Sequence, residues 1–374
     1  MQNHSDHGDD LKLSSSCSMT AVRLYEFGGP EVLKVERHPI PTPAKHQVLV
    51  RVRATSVTGW DSLYRRGKLT APPGRAALPL PQQLGREAAG EVEAVGKDVS
   101  MFSPADRVVV MVSPACGQCA YCRRGEDNLC RDIALPAHQS FGGYAEYIVV
   151  SEHGLLKAPK HLEFEKLACL LWSFGTAFHM VHNKAKLRPG ESVLITGASG
   201  GMGTACIQLA KINGANPIIA LTGSMDKADG LRSNGADVVL NYRDPDVVEQ
   251  IREHTTNKHG VDVVLDNVGG DQGIGMAIQA CRTGARLVLV AFIAGRELNL
   301  DIFTLIIKEL SVLAARGSTR REQETVLALA AAGKIDPTVD ARFALSDIRK
   351  ATDMLENREH TGKIVVLPGG LHGK

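Results

Sequence analysis

Four cysteines that stand close together in the chain have the spacing of a metal site. Cys116, Cys119, Cys122 and Cys130 fall within one short loop, and four thiolates are enough to close a tetrahedral zinc with no open position. Such a site has no place for a substrate, so its work is to hold an irregular segment together, here residues 113–132. Free thiols or a redox pair are the alternatives, although neither needs four cysteines at this spacing. The sequence therefore predicts one structural zinc.

A glycine-rich turn provides a second chemical signal. In Ser192-Val-Leu-Ile-Thr-Gly-Ala-Ser-Gly-Gly-Met-Gly-Thr-Ala-Cys206, an apolar run changes into small residues and then into a helical pattern. Ala198, Gly200 and Gly203 occupy the positions of a dinucleotide fingerprint, which serve the tight turn, the backbone approach to the pyrophosphate and the close packing of the helix. A chance glycine turn is the alternative. We expect the pyrophosphate to lie on the helix N-terminus, in contact with Ala198, Ser199, Gly200, Gly201, Met202 and Gly203.

The elements that must position this turn follow it along the chain. Apolar strand candidates recur at Pro217–Leu221, Val238–Leu240, Val261–Leu265 and Arg286–Val290, with helical stretches between them, and a last strand lies near Glu309–Ala314. This alternation predicts an α/β domain with a doubly wound parallel sheet.

The residues before the turn have a different pattern. Valine-rich runs at Val48–Val52, Glu91–Val95 and Arg107–Val112 are bounded by turn residues, which indicates a mostly β domain. A helical segment, Glu165–Asn183, then leads into the nucleotide domain.

The C-terminal segment is expected to complete the β domain. It contains a helix at Glu322–Ala332, an amphipathic segment at Ser346–Glu356 and a final strand at Lys363–Leu367. The nucleotide domain is then an insertion between the two parts of the β domain.

The bulk composition excludes several classes of function. The chain has 374 residues and a formal net charge of +2, and no basic run is interleaved with aromatics, so neither a nucleic-acid partner nor a membrane role is predicted. Apolar runs such as Leu287–Ala294 are too short to span a bilayer. Met1–Ser18 lacks the apolar core of a signal peptide and is expected to be a disordered tail, in which His4 and His7 are inert. Eight cysteines without a signal peptide favour a reducing, cytoplasmic location.

The order of these parts resembles the medium-chain dehydrogenase/reductase superfamily. The segment Leu84-Gly85-Arg86-Glu87-Ala88-Ala89-Gly90, the cysteine lobe and the dinucleotide turn carry the resemblance, which covers nearly all of Met19–Pro368. It implies a GroES-like catalytic domain (19–165 and 315–374) and a Rossmann domain (166–314). The lobe resembles that of the zinc alcohol dehydrogenases, whereas the nucleotide turn is similar to that of the NADPH quinone oxidoreductases. We further expect a homodimer.

The positions that bind a catalytic zinc in the zinc alcohol dehydrogenases hold other residues here. The first ligand of that family lies three residues before an Asp, where this chain has Thr58 before Asp61, and the second is the imidazole of Gly-His-Glu, where it has Arg86. The third position falls near Trp172. A permanent cation cannot ligate zinc and repels it. We therefore expect no catalytic zinc, even though two possible zinc ligands, Cys169 and Glu87, lie near these positions.

The segment around Asp61 is similar to a quinone oxidoreductase motif, in which an Asn-Pro pair is followed by Asp, Arg and Gly. Asp61, Arg65 and Gly67 match it, while Thr58-Gly59 replaces the Asn-Pro pair.

Four residues of this region form the expected catalytic set: Thr58, Asp61, Tyr64 and Arg86. By analogy, Thr58 and Arg86 are expected to donate hydrogen bonds to the carbonyl oxygen of the substrate. They would supply the electrostatic stabilisation that the catalytic zinc provides in the zinc alcohol dehydrogenases. Tyr64 is a candidate proton donor, and packing is its alternative role. Asp61 has an alternative role as an acceptor for backbone amides. Arg65 has an alternative role as the ion-pair partner of Asp61.

The end of the second nucleotide-domain strand favours NADPH over NADH. An acidic residue binds the ribose hydroxyls of NAD at this place, but the chain has Thr222 followed by Gly223 and Ser224. A hydroxyl and backbone amides can receive a 2′-phosphate, which a carboxylate would repel. Ser224 has an alternative role as a helix cap. Asp226 is the one residue here whose negative charge opposes the binding of a 2′-phosphate. The residues that resemble the phosphate side of NADPH-dependent relatives are Lys227, Tyr242 and Arg243.

These observations predict an NADPH-dependent reductase of a quinone or an α,β-unsaturated carbonyl. The resemblance implies that Thr176, Phe292 and Ile293 flank the nicotinamide, and Asn267 is counted with the cofactor-binding residues. The alternatives are a carbonyl reductase or alcohol dehydrogenase acting on aldehydes or ketones, and a nucleotide-binding protein without turnover.

Overall fold

The computed structural model describes residues 18–69 and 78–371. The expected N-terminal tail, with His4 and His7, lies outside the described residues except for Ser18, which already belongs to a strand.

Fifteen strands and eleven α-helices make up the described structure. The strands are β1 (Ser18–Arg23), β2 (Lys34–Pro39), β3 (Gln47–Val57), β4 (Glu87–Val95), β5 (Arg107–Val110), β6 (Tyr147–Ser151), β7 (Leu155–Lys157), β8 (Val193–Ile195), β9 (Ile218–Thr222), β10 (Val238–Asn241), β11 (Val261–Asp266), β12 (Cys281–Leu289), β13 (Ser311–Ala314), β14 (Val339–Ala344) and β15 (Lys363–Leu367). The helices are α1 (Gly59–Arg65), α2 (Ala120–Arg123), α3 (Phe164–Leu167), α4 (Ser173–Phe178), α5 (Gly201–Ile212), α6 (Ala228–Asn234), α7 (Val247–Glu253), α8 (Asp271–Ala280), α9 (Ile302–Ile307), α10 (Arg320–Ala331) and α11 (Ile348–Glu356).

The six strands from β8 to β13 form one parallel sheet in the order β10-β9-β8-β11-β12-β13. Val193, Leu194 and Ile195 of the central strand β8 are fully buried, as expected for a parallel sheet covered on both faces by helices. The predicted doubly wound sheet is therefore confirmed.

The second sheet joins the two ends of the chain. Its order is β14-β15-β3-β4-β5-β7, with β6 also paired to β3. The C-terminal strand β15 pairs antiparallel with β3, with Ile364 opposite Val57. The last strand of the chain thus completes the sheet that the first third began, as the sequence predicted.

One predicted helix is interrupted. The segment Glu165–Asn183 forms α3, then a turn, then α4, and finally a π-helical turn at His179–Lys184. In the turn, Cys169, Leu170 and Leu171 are at most 1% exposed and belong to the main core. A segment buried on all sides has no amphipathic face to follow, so tertiary packing decides its shape.

The C-terminal strand also contacts the dinucleotide turn. The Gly362 amide donates to the Ser199 carbonyl at 2.8 Å, and a Cβ on Gly201 would lie 2.3 Å from Cδ of Lys363. The two sheets therefore meet at this turn, and we call the region between them, which contains the candidate site, the cleft. Within the described ranges, no helix is both long and apolar enough to cross a membrane.

Candidate functional site

The cysteine lobe brings its four thiols together. The sulfur atoms of Cys116, Cys119, Cys122 and Cys130 all lie within 4.8 Å of one another. The amides of Cys116 and Asp132 each donate to Sγ of Cys130 at 3.3 Å. Burial raises the pKa of the Cys130 thiol, and these two hydrogen bonds oppose that shift. Four convergent thiols without a carboxylate or water position are the donor set of a closed zinc site.

The dinucleotide turn has the expected shape, with one shift of role. Helix α5 begins at Gly201, so the first-turn amides have no intrahelical partner and are available to a ligand. A Cβ on Gly203 would lie 2.3 Å from the carbonyl oxygen of Gly197, so close packing requires glycine there. The left-handed residue of the turn is Gly197, with φ of 57°, rather than Ala198, to which the fingerprint assigned the tight turn.

The end of β9 carries hydroxyls and no carboxylate. Thr222 is buried, and its Oγ1 accepts from the Ser224 amide at 3.2 Å. Tyr242 and Arg243 pack against Gly223, where a Cβ would lie 2.7 Å from Cε1 of Tyr242, and Arg243 donates to the Gly223 carbonyl. The guanidinium of Arg243 and the hydroxyls of Thr222 and Ser224 thus lie at the end of β9.

Two charged residues nearby are already engaged. Nζ of Lys227 donates to the carbonyl oxygens of Arg358 and His360 at 2.7 Å each. Asp226 accepts from the Ser224 hydroxyl, which lowers the pKa of its carboxyl. Lys227 therefore links this edge to the C-terminal segment, and has one remaining proton for another acceptor.

Asp61 and Thr58 form a helix cap. Thr58 is the N-cap of α1; its hydroxyl donates to Oδ2 of Asp61 at 2.6 Å and accepts from the Asp61 amide. The Gly85 amide donates to Oδ1 of Asp61 at 3.0 Å. Burial raises the pKa of Asp61 despite these hydrogen bonds. The single hydroxyl proton of Thr58 is committed to Asp61, which corrects its expected role as a donor to substrate.

Tyr64 and Arg65 also differ from their expected roles. The Tyr64 hydroxyl donates to the carbonyl oxygen of Pro79 at 2.8 Å, and burial raises the pKa of this phenol, so Tyr64 is a poor proton donor. Arg65 is 1% exposed and pairs with Glu356 rather than with Asp61. Both side chains therefore serve packing and the attachment of α11.

The Arg86 guanidinium is buried between two indole rings, those of Trp60 and Trp172. It is 2% exposed, and its Nη2 donates to the carbonyl oxygen of Val112 at 3.2 Å, while Nε and Nη1 have no partner in the structure. Its Cζ lies 4.2 Å from the ring centroid of Trp172 and 4.9 Å from that of Trp60. Burial lowers the pKa of Arg86 to about 10, so the side chain is still a cation at neutral pH.

The other potential ligands of a cleft zinc are occupied. Glu87 accepts from the Ser56 hydroxyl at 2.6 Å and from the Trp172 amide at 2.9 Å, and forms a buried ion pair with Lys363. Burial raises the pKa of the Cys169 thiol well above its usual value, which disfavours a thiolate. With Arg86 in the middle, these donors do not fit a catalytic zinc.

Two of the residues expected around the nicotinamide, Thr176 and Ile293, lie close to Trp172 and to the start of α1. The Thr176 amide donates to the Trp172 carbonyl at 3.2 Å, and Oγ1 of Thr176 is buried without a partner. Cδ1 of Ile293 lies 3.7 Å from the place that a Cβ on Gly59 would occupy, and Phe292 packs near α1.

Asn267 has a different environment from these three residues. Its side-chain amide donates to the Thr196 carbonyl at 3.0 Å, so it braces the strand that precedes the turn.

Two residues that contact this region received no role from the sequence. The Trp60 ring packs against Arg86, and Lys363 pairs with Glu87. The available signal was that both tryptophans of the chain, Trp60 and Trp172, fall next to expected ligand positions.

Comparisons with known proteins agree with this architecture. Residues 44–160 match the family described as alcohol dehydrogenase GroES-like domain, and residues 201–332 match zinc-binding dehydrogenase. The chain is 32% identical to an NAD-dependent alcohol dehydrogenase of Sulfurisphaera tokodaii, over 94% of this chain and 100% of that protein. It is 29% identical to the quinone oxidoreductase of Homo sapiens, over 93% and 98%. A crystal structure of an NAD-dependent alcohol dehydrogenase superimposes with a TM-score of 0.87 at 36% identity, covering 93% of this chain and 99% of the other.

The similarity extends over both sheets and the cleft between them, and the matched families are those of zinc-type dehydrogenases. The chain belongs to the medium-chain dehydrogenase/reductase superfamily of oxidoreductases.

Proposed function

We propose that the protein is an NADPH-dependent reductase of conjugated carbonyl compounds or quinones that works without a metal in its cleft. The observation that carries the proposal is Arg86, a buried cation with two unpartnered nitrogens at the position of the catalytic imidazole. A donor aimed at developing negative charge performs the electrostatic work of a Lewis acid.

Each part of the site has a defined task in this reaction. When bound, NADPH supplies the hydride. The first-turn amides of α5 would hold its pyrophosphate, and Thr176, Phe292 and Ile293 would flank the nicotinamide. Addition of the hydride to the β carbon of the substrate would move the π electrons to the carbonyl oxygen, and Arg86 would stabilise the resulting enolate or phenolate. Water supplies the proton, because Tyr64 is engaged elsewhere.

The preference for NADPH rests on the end of β9. Thr222 and Ser224 present hydroxyls where a carboxylate would repel a 2′-phosphate, and the guanidinium of Arg243 lies next to Gly223. The third ammonium proton of Lys227 would donate a hydrogen bond to the 2′-phosphate. The relative from Sulfurisphaera tokodaii uses NAD, so this preference is a specific departure from that protein.

A carbonyl reductase or alcohol dehydrogenase is the second candidate, favoured by the names of the similar dehydrogenases. The two candidates differ in their acceptor, because Arg86 can stabilise an enolate formed by addition to a β carbon or an alkoxide formed by addition to the carbonyl carbon. A nucleotide-binding protein without turnover is the third candidate.

We further propose a cytoplasmic homodimer. The apolar residues Ile302, Phe303, Ile306 and Ile307 of α9 are 63–70% exposed, next to the edge strand β13, and such a patch is typical of a protein interface. The location in a reducing compartment is proposed because the four clustered cysteines have the donor set of a zinc site, which requires reduced thiols. Sedimentation velocity of wild type and Phe303→Asp tests the dimer: a monomeric wild type would contradict it.

The test of the reaction is an NADPH-oxidation screen with matched acceptors. We expect turnover with quinones and with 2-cyclohexenone, and none with cyclohexanone. Turnover of the saturated ketone at a comparable rate would establish the carbonyl reductase instead. Tight NADPH binding with no oxidation across quinones, enones and aldehydes would establish the non-catalytic alternative.

A further inference from the structure

We propose that Trp60 is a second hydrogen-bond donor to the substrate oxygen, so that Arg86 and Trp60 together form an oxyanion pocket. This inference rests on the proposed function and assigns a catalytic role to a residue of α1. Its basis is that Nε1 of Trp60 is buried and has no hydrogen-bond partner, as is true of Nε and Nη1 of Arg86.

The unpartnered donors belong to neighbouring side chains. The ring centroid of Trp60 lies 4.9 Å from Cζ of Arg86 and 5.8 Å from the ring centroid of Trp172, and the two indole planes meet at 63°. The guanidinium therefore lies in the angle between two indoles. Buried N–H groups without acceptors are costly in proteins. We take three of them on two side chains in contact as a sign that a ligand supplies the acceptor.

The chemical character of the pocket indicates which ligand that is. An indole nitrogen and a guanidinium donate hydrogen bonds and accept none. In the described part of the chain, Arg86 forms no ion pair with a carboxylate, although Asp61 and Glu87 are near enough to influence its pKa. A buried cation without a paired anion selects a ligand that carries or develops negative charge. The pocket should therefore bind a planar oxyanion more tightly than its neutral isostere.

The location of the pocket agrees with a role in hydride transfer. Thr176 is one helical turn from Trp172, and Ile293 approaches the residue before Trp60. Both are expected to flank the nicotinamide. An oxygen held by Trp60 and Arg86 would thus belong to a substrate next to the hydride donor.

The chain provides its own probe of this pocket, because Trp60 and Trp172 are its only tryptophans. The experiment is a fluorescence titration of the zinc-containing protein, saturated with NADP⁺, with benzoate and with benzamide. We expect benzoate to quench the emission and to bind at least about tenfold more tightly than benzamide, the fold-change of one charged hydrogen bond. Equal affinities for benzoate and benzamide would overturn the proposal.

Two variants assign the donors. Trp60→Phe keeps an aromatic ring beside Arg86 and leaves Trp172 as the reporter, so we expect about tenfold weaker benzoate binding with little change for benzamide. Arg86→Met should abolish the preference for benzoate. Trp60→Phe should also lower kcat for 2-cyclohexenone about tenfold or more, with KM changed much less, because the charge develops only in the transition state. Unchanged kcat and benzoate affinity in folded Trp60→Phe would overturn the role of Trp60.

The outcomes separate this inference from the proposed function. If the wild type reduces no acceptor but binds benzoate in a Trp60-dependent way, the pocket stands and the reductase proposal fails. If the wild type reduces enones and Trp60→Phe does so equally well, the reductase proposal stands and the second donor is wrong.

Discussion

We propose that Arg86 separates this chain from the zinc-dependent members of its superfamily. Its position follows from β4, which begins at the next residue, and its charge is retained because Asp61 and Glu87 oppose the loss of its proton on burial. A guanidinium at this point excludes a metal and provides hydrogen bonds. An arginine in place of the histidine would thus both repel a metal ion and stabilise negative charge on a substrate.

Arg86→Ala is expected to lower kcat about a hundredfold, because removal of one oxyanion donor costs about 3 kcal/mol. The matched control is Arg65→Ala, which removes another buried arginine, the last residue of α1, which pairs with Glu356. The control should lower the melting temperature and leave the rate per folded molecule unchanged. The measurement is kcat and Tm on the same preparations. If Arg86→Ala behaved like the control, Arg86 would be a structural residue.

Thr222→Asp is expected to shift the cofactor preference towards NADH, because a carboxylate at the end of β9 repels a 2′-phosphate and binds ribose hydroxyls. The wild type should prefer NADPH by more than about tenfold, since one charged contact to phosphate is worth about 1.5–3 kcal/mol. Thr256→Asp adds the same charge on an exposed turn of the same domain and should leave the ratio unchanged. The ratio of kcat/KM for the two cofactors is the measurement, and equal values in the wild type would contradict the account.

At the scale of elements, the cysteine lobe is a short segment that has little apolar core of its own. It contains α2, of four residues, none of which is buried. We propose that this segment gains its structure from a bound zinc rather than from packing, and that the lobe contributes stability to the protein.

Cys119→Ser is expected to abolish zinc binding and to lower Tm by several degrees, while the folded fraction keeps its cofactor affinity. Cys281→Ala is the control: this thiol is buried outside the lobe, so the variant should retain one zinc per chain. Elemental analysis with thermal denaturation measures both. Two zincs per chain in the wild type, or one zinc in Cys119→Ser, would contradict the assignment.

The start of α10 couples this helix to the π-helical turn after α4. Burial opposes ionisation of Glu322, but hydrogen bonds from His179, the Thr319 amide and Asn183 outweigh it and lower the pKa. A lowered carboxyl pKa contributes stability above the unfolded pKa, and that contribution is lost as pH falls through the folded pKa.

Glu322→Gln should therefore destabilise the protein by about 1–2 kcal/mol at pH 7, and its Tm should fall less than that of the wild type between about pH 5 and pH 3. Glu324→Gln, on the exposed face of the same helix, is the control and should change neither quantity. Parallel Tm profiles for wild type and Glu322→Gln would show that this carboxyl does not contribute to the acid sensitivity.

For the whole molecule, the order of elements was predictable because it is encoded locally. Valine-rich runs and the glycine turn define strands and their connections within short windows, and Lys363–Leu367 was predicted at its observed bounds. The turn at 168–172 was not predictable, because its shape depends on the core around it. The same limit applies to side chains: the engagement of Thr58 by Asp61 and the free nitrogen of Trp60 depend on contacts across the cleft.

The cleft also depends on chain ends that are far apart in sequence. β15 pairs with β3, its neighbour Gly362 contacts the dinucleotide turn, and Lys363 neutralises Glu87 beneath Arg86. The dinucleotide turn and the surroundings of Arg86 therefore both depend on contacts of the C-terminal strand.

The central claim is that this cleft reduces its substrate without a metal. The most direct measurement is the NADPH-dependent rate per chain as a function of bound zinc, determined on the same samples with 2-cyclohexenone or a quinone. We expect the full rate at one zinc per chain, no increase on addition of zinc, and no rapid loss with a chelator that leaves the lobe zinc in place. A rate that rises in proportion to a second zinc, and that a chelator removes and zinc restores, would contradict it.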